Sequence, residues 1–217
     1  MSPVQHAYRR GCSCLLAWAD LDTLDQDTRN RGKQAALLMT DQSAAFNLVK
    51  SSIIVAKLRN FWVEETALKV VESYLTGRST QCIFGKSTSG RVVLRSGVGE
   101  GSVVGPLYFV ATLLDVTEPA KRVVRKVLRM YGVTLAIYLI AYADVVSALV
   151  VADTEAEIQI GVTEMMKELG EYFSSARLGM NPSKSELVVF RKGQQRQVLQ
   201  VVGQEEATLA KLLGVTV

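Results

Sequence analysis

Two apolar runs, each ending in an aspartate, decide how this chain is read: Ala35-Ala36-Leu37-Leu38-Met39-Thr40-Asp41 and Ala136-Ile137-Tyr138-Leu139-Ile140-Ala141-Tyr142-Ala143-Asp144. Each has the length and composition of a buried strand. A carboxylate at the tip of such a strand is costly unless a cation or a donor meets it. Two tips on neighbouring strands would bring the carboxylates together, and a shared divalent metal relieves their repulsion. That pairing is the minimum needed for two-metal phosphoryl transfer.

The 217 residues are 48% hydrophobic, enough for one sizeable core with or without a small lobe, and the formal charge of +4 is a mild bias compatible with nucleic acid. Three cysteines without framework spacing, Cys12, Cys14 and Cys82, suggest reduced thiols in an intracellular compartment. Cys12-Ser13-Cys14 has no second Cys/His pair to complete a zinc site, His6 being the only histidine. No apolar segment of the kind that marks a signal peptide follows Met1–Gln5. Residues 133–151 approach the length of a membrane span, but Asp144 lies within them. A β-hairpin turning near Ala143-Asp144 explains the run better than a span, so no membrane partner is expected.

Working outward, a polar leading segment is helical around Leu15–Leu24. The strand to Asp41 is followed by helical spacing at Ile53–Phe61 and Ala67–Leu75, with Gly77 placed to end the second helix. Thr80–Phe84 and Arg91–Arg95 read as a hairpin around Lys86–Gly90. A glycine-rich loop, Ser96–Ser102, leads into an apolar helix at about Val104–Val116. Pro119 opens another, carrying Lys121, Arg122, Arg125, Lys126 and Arg129 beside an apolar stripe. These cations could touch phosphates, although a solvated helix face is the commoner use. Thr154 and Glu157 form a capping-box pattern ahead of a helix that Gly179 would stop. Short strands are predicted at Leu187–Phe190 and Val198–Val202. Abundant hairpins, and no Gly-rich first turn of a doubly wound fold, predict an α+β layer: a mainly antiparallel sheet with helices packed on one face.

The order of the motifs resembles the reverse transcriptase domain of non-LTR (LINE-type) retrotransposons. Gln5-His6-Ala7-Tyr8-Arg9-Arg10-Gly11-Cys12-Ser13 is similar to that family's Gln-x-x-Phe-Arg-x-Gly-x-Ser. Asp41-Gln42-Ser43-Ala44-Ala45-Phe46 resembles Asp-x-Ser-x-Ala-Phe, and Tyr74–Arg78 matches Tyr-Leu-x-x-Arg. Gly97–Leu107 looks like Gly-Val-Pro-Gln-Gly-Ser-Val-Leu-Gly-Pro-Leu. Tyr142-Ala143-Asp144-Val145 resembles Tyr-Ala-Asp-Asp, Leu178–Glu186 is similar to Leu-x-Leu-Asn-x-x-Lys-[Ser/Thr]-Glu, and Leu212–Val215 looks like the Leu-Gly-Val strand before a thumb.

The resemblance implies a polymerase palm over residues 36–217, ending before the thumb, with residues 1–35 as part of the fingers of a truncated copy. It implies RNA-directed DNA polymerase activity on an RNA template, a DNA primer and deoxynucleotides, and a nuclear location. Asp41 and Asp144 would be the catalytic carboxylates and hold Mg²⁺, with Mn²⁺ as a substitute, and Lys184 would assist the leaving group. Phe46 would be the steric gate against a ribose 2′-hydroxyl, and Glu100, Gly101 and Ser102 would border the nucleotide. Three positions depart from the family pattern. Val145 replaces the second aspartate, Glu100 stands where glutamine is usual, and Asn47 follows the gate in place of Asp. Loss of one carboxylate beside two dications implies weakened or absent catalysis, and a relic that only binds nucleic acid or protein is the alternative.

Overall fold

The computed structural model describes residues 2–43, 45–99, 101–181, 185–190 and 197–200. In chain order the elements are α1 (Cys14–Asn30), β1 (Gln34–Thr40), β2 (Gln42–Ser43), α2 (Ala45–Leu48), α3 (Ser51–Asn60) and α4 (Glu65–Leu75). Four short strands follow: β3 (Ser79–Thr80), β4 (Ile83–Phe84), β5 (Ser87–Thr88) and β6 (Val92–Val93). Then come α5 (Gly105–Ala111), α6 (Thr117–Tyr131), β7 (Ala136–Tyr142), β8 (Val145–Ala152), α7 (Glu155–Ser175), β9 (Gly179–Met180), β10 (Glu186–Phe190) and β11 (Gln197–Gln200).

The central sheet has the order β11-β10-β1-β8-β7, and every neighbouring pair is antiparallel. Its middle strand, β1, is buried on both sides, which is why Ala35–Leu38 carries no polar alternation. Ala36, Leu38, Ala148, Val150, Leu187 and Val189 face the main core, where α7 contributes Ile158, Val162, Met165, Leu169 and Phe173 and α6 contributes Val123 and Val127. The alternate residues Ala35, Leu37, Leu149, Val151, Val188 and Phe190 form a second cluster with Leu21 and Leu24 of α1. The sheet is thus covered on both faces, where helices on one face were expected. A seventeen-residue α1 extends the predicted Leu15–Leu24 helix and supplies the extra layer. The apolar run 133–151 is the β7–β8 hairpin inside this sheet, and among the described residues no helix is long and apolar enough to cross a membrane.

Local signals mark one end of α7 and not the other. The capping box at α7 is present: Thr154 Oγ1 accepts from the Glu157 N–H at 3.3 Å, and Glu157 Oε2 accepts from the Thr154 N–H at 3.0 Å. The other end of α7 lies at Ser175, earlier than the Gly179 expected. Arg177 takes the left-handed position (φ +60°), the Leu178 N–H donates to Phe173 O and the Arg177 N–H to Ser174 O. Buried Leu178 and Phe173 supply the apolar contact of this Schellman ending, and their burial offsets an unfavourable residue at the turn. Gly179 instead pairs in β9. The hairpin of 79–93 is nested: β3 pairs β6, β4 pairs β5, and the tip is Gly85-Lys86, so Ser87 and Thr88 are strand residues. The apolar helix after the glycine loop is one residue late and five short of its forecast end. The predicted strand at Val198–Val202 corresponds to β11, whose last two forecast residues, like Leu212–Val215, lie outside the described residues.

Two charge clusters tie the helices together. On α6, Lys121 pairs with Glu118 at 2.7 Å, Arg122 with Glu168 at 2.7 Å and Lys126 with Glu164 at 2.5 Å. Two of these bridges join α6 to α7, so Arg122 and Lys126 of the basic face serve helix packing. Between α3 and α7, the Lys57 ammonium contacts Asp115 and sits 4.7 Å from the Tyr172 ring centroid. The Tyr172 hydroxyl lies 2.7 Å from Asp115 Oδ1 and 3.0 Å from Thr112 O, and its one proton serves the nearer carboxylate.

Burial first, then the hydrogen bond and charge of Asp115, push the Tyr172 phenol well above the usual tyrosine range. The folded chain therefore keeps a proton that the unfolded chain releases near pH ~10. This contribution is complete below that pH and is lost as pH rises beyond it. Urea denaturation of Tyr172→Phe should show a loss of about 1–2 kcal/mol at pH 7. Above pH ~10 the parent should lose stability more steeply than the variant.

Candidate functional site

The β1–β8 register runs from Gln34↔Ala152 to Thr40↔Val146, and the β7–β8 register closes at Tyr142↔Val145. Asp144 therefore sits in the two-residue turn of the hairpin, and Asp41 is the first residue past the end of β1. Continuing the ladder by one residue sets Asp41 level with Val145, on strands about 4.8 Å apart. The two aspartates predicted to converge thus arrive at one end of adjacent strands, and both are half-buried. Asp41 O accepts from the Asn181 N–H at 2.9 Å, and β2 pairs with β9, which draws Gly179–Asn181, in the first part of the 178–186 motif, against Asp41. Lys184 itself, like Glu100, lies outside the described residues.

The turn is fixed from far away in sequence. Ala143 has φ +52°, a left-handed conformation that costs a residue with a Cβ about 1–2 kcal/mol. Buried Gln5 brackets it: Oε1 accepts from the Ala143 N–H at 3.1 Å and from the Ala7 N–H at 2.9 Å, and Nε2 donates to Ala143 O at 3.3 Å. The Ala141 N–H donates to Val4 O and the His6 N–H to Ala141 O, both at 2.8 Å. The sequence flagged Gln5 only as part of a motif. Nothing local could assign its partner, which is 138 positions away.

Phe46 is half-buried and stacks on Phe109, ring centroids 4.6 Å apart and 23° from parallel. Its carbonyl accepts from the Val98 N–H at 2.7 Å, and Val49 O accepts from the Gly97 N–H at 2.7 Å. Arg78 donates to the carbonyls of Gly97 and Leu75, joining the end of α4 to the same loop. Gly97 has φ +83°, and a Cβ there would stand 2.9 Å from Asn47 O and 3.0 Å from Phe46 O. Glycine is required at 97 by both conformation and space. Gly101 also has positive φ (+74°), with open space around its Cα. Ser102 Oγ donates to Gly99 O at 2.8 Å and accepts from the Gly105 N–H at 2.9 Å, so this hydroxyl closes the loop onto α5. The structure therefore joins Phe46 to the glycine loop and brings Asp41 and Asp144 to the same end of neighbouring strands.

Val145, where the family motif has a second Asp, lines a pocket of about 200 Å³ with Trp18, Leu21, Met39, Ile140 and Tyr142. Among the described residues, no three His, Cys, Asp or Glu side chains gather closely enough to hold a metal ion. The donor set offered by Asp41 and Asp144 is hard oxygen, right in kind for Mg²⁺ or Mn²⁺. Two carboxylates suit Mg²⁺ when substrate phosphates and water complete the octahedron.

Gln42, beside Asp41, is 1% exposed, and neither of its amide atoms has a hydrogen-bond partner among the described residues. An unsatisfied buried amide is costly. Gln42→Met should therefore raise stability by about 1 kcal/mol in urea denaturation. Gly97→Ala should lower it by about 1–3 kcal/mol, because the added methyl meets backbone in a conformation that alanine resists; a change too small to measure would show that the 46–49 segment can yield.

Known proteins supply the remaining evidence. A profile of the reverse transcriptase (RNA-dependent DNA polymerase) family matches residues 1–217. Among curated sequences none matches closely enough to count as a relative. Solved structures similar in fold include telomerase from Candida tropicalis in complex with a TWJ fragment of telomeric RNA. That likeness has a TM-score of 0.65 at 6% identity over 88% of this chain and 31% of the other. The Candida albicans telomerase with the same kind of RNA fragment gives a TM-score of 0.56 at 12% identity, over 92% of this chain and 34% of that one. An apo Candida tropicalis telomerase truncated from its C-terminal domain gives 0.53 at 7% identity, over 88% of this chain and 37% of that one. The chain spans about a third of these structures' length, and at such identity they speak for the fold alone. With the whole sequence matched by the profile and the sheet, hairpin turn and glycine loop arranged as described, this chain belongs to the reverse transcriptase (RNA-dependent DNA polymerase) family.

Proposed function

We propose that the chain performs template-directed addition of deoxynucleotides to a DNA primer 3′-hydroxyl on an RNA template, as part of a non-LTR retrotransposon reverse transcriptase. Residues 36–217 act as the palm and residues 1–35 as part of the fingers. The observation that carries this reading is the register that delivers Asp41 and Asp144 to the same end of β1 and the β7–β8 hairpin. Mg²⁺, or Mn²⁺ in its place, would lower the pKa of the attacking hydroxyl and neutralise the leaving pyrophosphate.

The chain's own residues have separable tasks. Asp41 and Asp144 hold the cations. Phe46, locked by its stack on Phe109 and by the Val98 N–H bond to its carbonyl, presents a fixed ring edge that rejects a 2′-hydroxyl. Fixity matters because a ring free to rotate cannot exclude a single oxygen atom. The glycines of the loop from Gly97 to Gly105 let its backbone approach the template and the incoming base closely. Lys184 donates toward the leaving group.

Val145 weakens the site. It contributes an apolar wall beside Trp18 and Met39 in place of a charge. A missing transition-state contact of this kind costs ~3 kcal/mol, or about a hundredfold in rate. Primer extension on an RNA template with Mg²⁺ or Mn²⁺ tests the proposal. The chain should extend a primer at near-background rate and Val145→Asp about a hundredfold faster. Asp41→Ala, introduced into Val145→Asp, should abolish that gain. The gain should come with a stability loss of about 1 kcal/mol, since the new carboxylate enters a partly apolar pocket. Extension that survives Asp41→Ala would sink the proposal.

A further inference from the structure

We propose that Gln5 is a positioning residue for Asp144, holding the hairpin turn in the one conformation that presents this carboxylate. The inference rests on the reading of Asp144 as a metal-holding group.

Packing alone does not fix the conformation of the turn: Ala143 is buried, but Tyr142 and Val145, on either side, are 40% and 36% exposed. Ala143 occupies the left-handed region at +52°, which alanine avoids unless its surroundings impose it. The imposing contact is the Gln5 side chain, 1% exposed, which serves both the N–H and the carbonyl of Ala143. It acts as an extra peptide unit added to the β7 edge, continuing the parallel bridge between Gln5 and Ala141. One acceptor oxygen taking two N–H groups and one donor nitrogen facing a carbonyl is a task for a carboxamide. A carboxylate keeps the acceptor and loses the donor, an ammonium does the reverse, and an asparagine is one methylene short. The contact is made to the residue immediately before Asp144, so loss of the bracket frees the dihedrals that aim its side chain. Gln5 touches neither substrate nor reacting atoms, and its effect passes through the turn. Outer partners of metal-holding carboxylates act in this way on affinity.

The test uses the full chain with two readouts. Amide exchange reports the Ala143 N–H, and Mn²⁺, followed by its electron paramagnetic resonance signal, reports the metal site. Gln5→Ala should speed exchange at Ala143 at least about tenfold and weaken Mn²⁺ binding about tenfold, while amides in the middle of β8 keep their protection. Gln5→Glu, which keeps the acceptor, should fall between the parent and Gln5→Ala, and it carries the comparison if Gln5→Ala does not fold. Arg9→Ala, which removes only the exposed contact of Arg9 with Pro3 O, should resemble the parent.

Unchanged exchange at Ala143 in both Gln5 variants overturns the inference. So does faster exchange with unchanged Mn²⁺ affinity, in a chain whose Mn²⁺ binding is lost in Asp144→Ala. If Asp41→Ala and Asp144→Ala bind Mn²⁺ as the parent does, the metal reading is what fails. Exchange at Ala143 then decides by itself whether Gln5 holds the turn.

Discussion

Antiparallel pairing of Gln34–Thr40 with Val145–Ala152 constrains everything else in this molecule. Seven consecutive pairs fix the register. Because side chains alternate with a period of two, a slip of one residue would turn Ala36 and Leu38 out of the α6–α7 core and bring Leu37 in. It would also move Asp41 one position along the β7–β8 hairpin. Burial of β1 on both faces makes such a slip expensive, so the hydrophobic core that stabilises the sheet also sets where its carboxylates lie.

Around that sheet, segments remote in sequence are drawn to one end by backbone hydrogen bonds. Val4–His6 joins β7 at Ala141, Asn181 joins Asp41, and the Gly97–Val98 amides join the carbonyls of Val49 and Phe46. Ala141, Val49 and Val98 are buried where these joins are made. The bonds are directional, each worth about 1 kcal/mol net, and they depend on the core to bring the partners within reach. The division is a useful one. Packing supplies the stability, and a few hydrogen bonds with exact partners supply the geometry at the rim where Asp41 and Asp144 lie. The departure at Val145 fits this picture. It adds an apolar side chain to a wall shared with Trp18 and Met39, where the family motif has a carboxylate.

Much of the fold was legible from residues 35–41 and 136–152. Long apolar runs with β-branched and aromatic residues indicate buried strands, and Asp144 within such a run marks a hairpin turn. The end of α7 was not legible, because the left-handed residue there is Arg177 and no glycine announces it; the burial of Leu178 against Phe173 decides the matter. Coverage of the sheet by α1 was missed for a similar reason. Its buried stripe is thin, with Leu15, Leu16 and Trp18 exposed, so its periodicity does not advertise a packing face. Among site residues, Asp41, Asp144 and Phe46 stand out by position in their motifs. The task of Gln5 and the use of the Ser102 hydroxyl inside its own loop do not.

The sequence by itself determined which segments form the central sheet, that two of them end in carboxylates, and through the order of its motifs the family. Those properties follow from composition and spacing along the chain, which short-range sterics and hydrophobicity translate directly into local structure. Only the tertiary structure decided that Gln5 grips Ala143, that Asn181 meets Asp41, that Gly97 has no room for a side chain, and that two of the five cations named on α6, Arg122 and Lys126, pair with α7. These are contacts between residues far apart in the chain, and their energies depend on distances that no local pattern encodes.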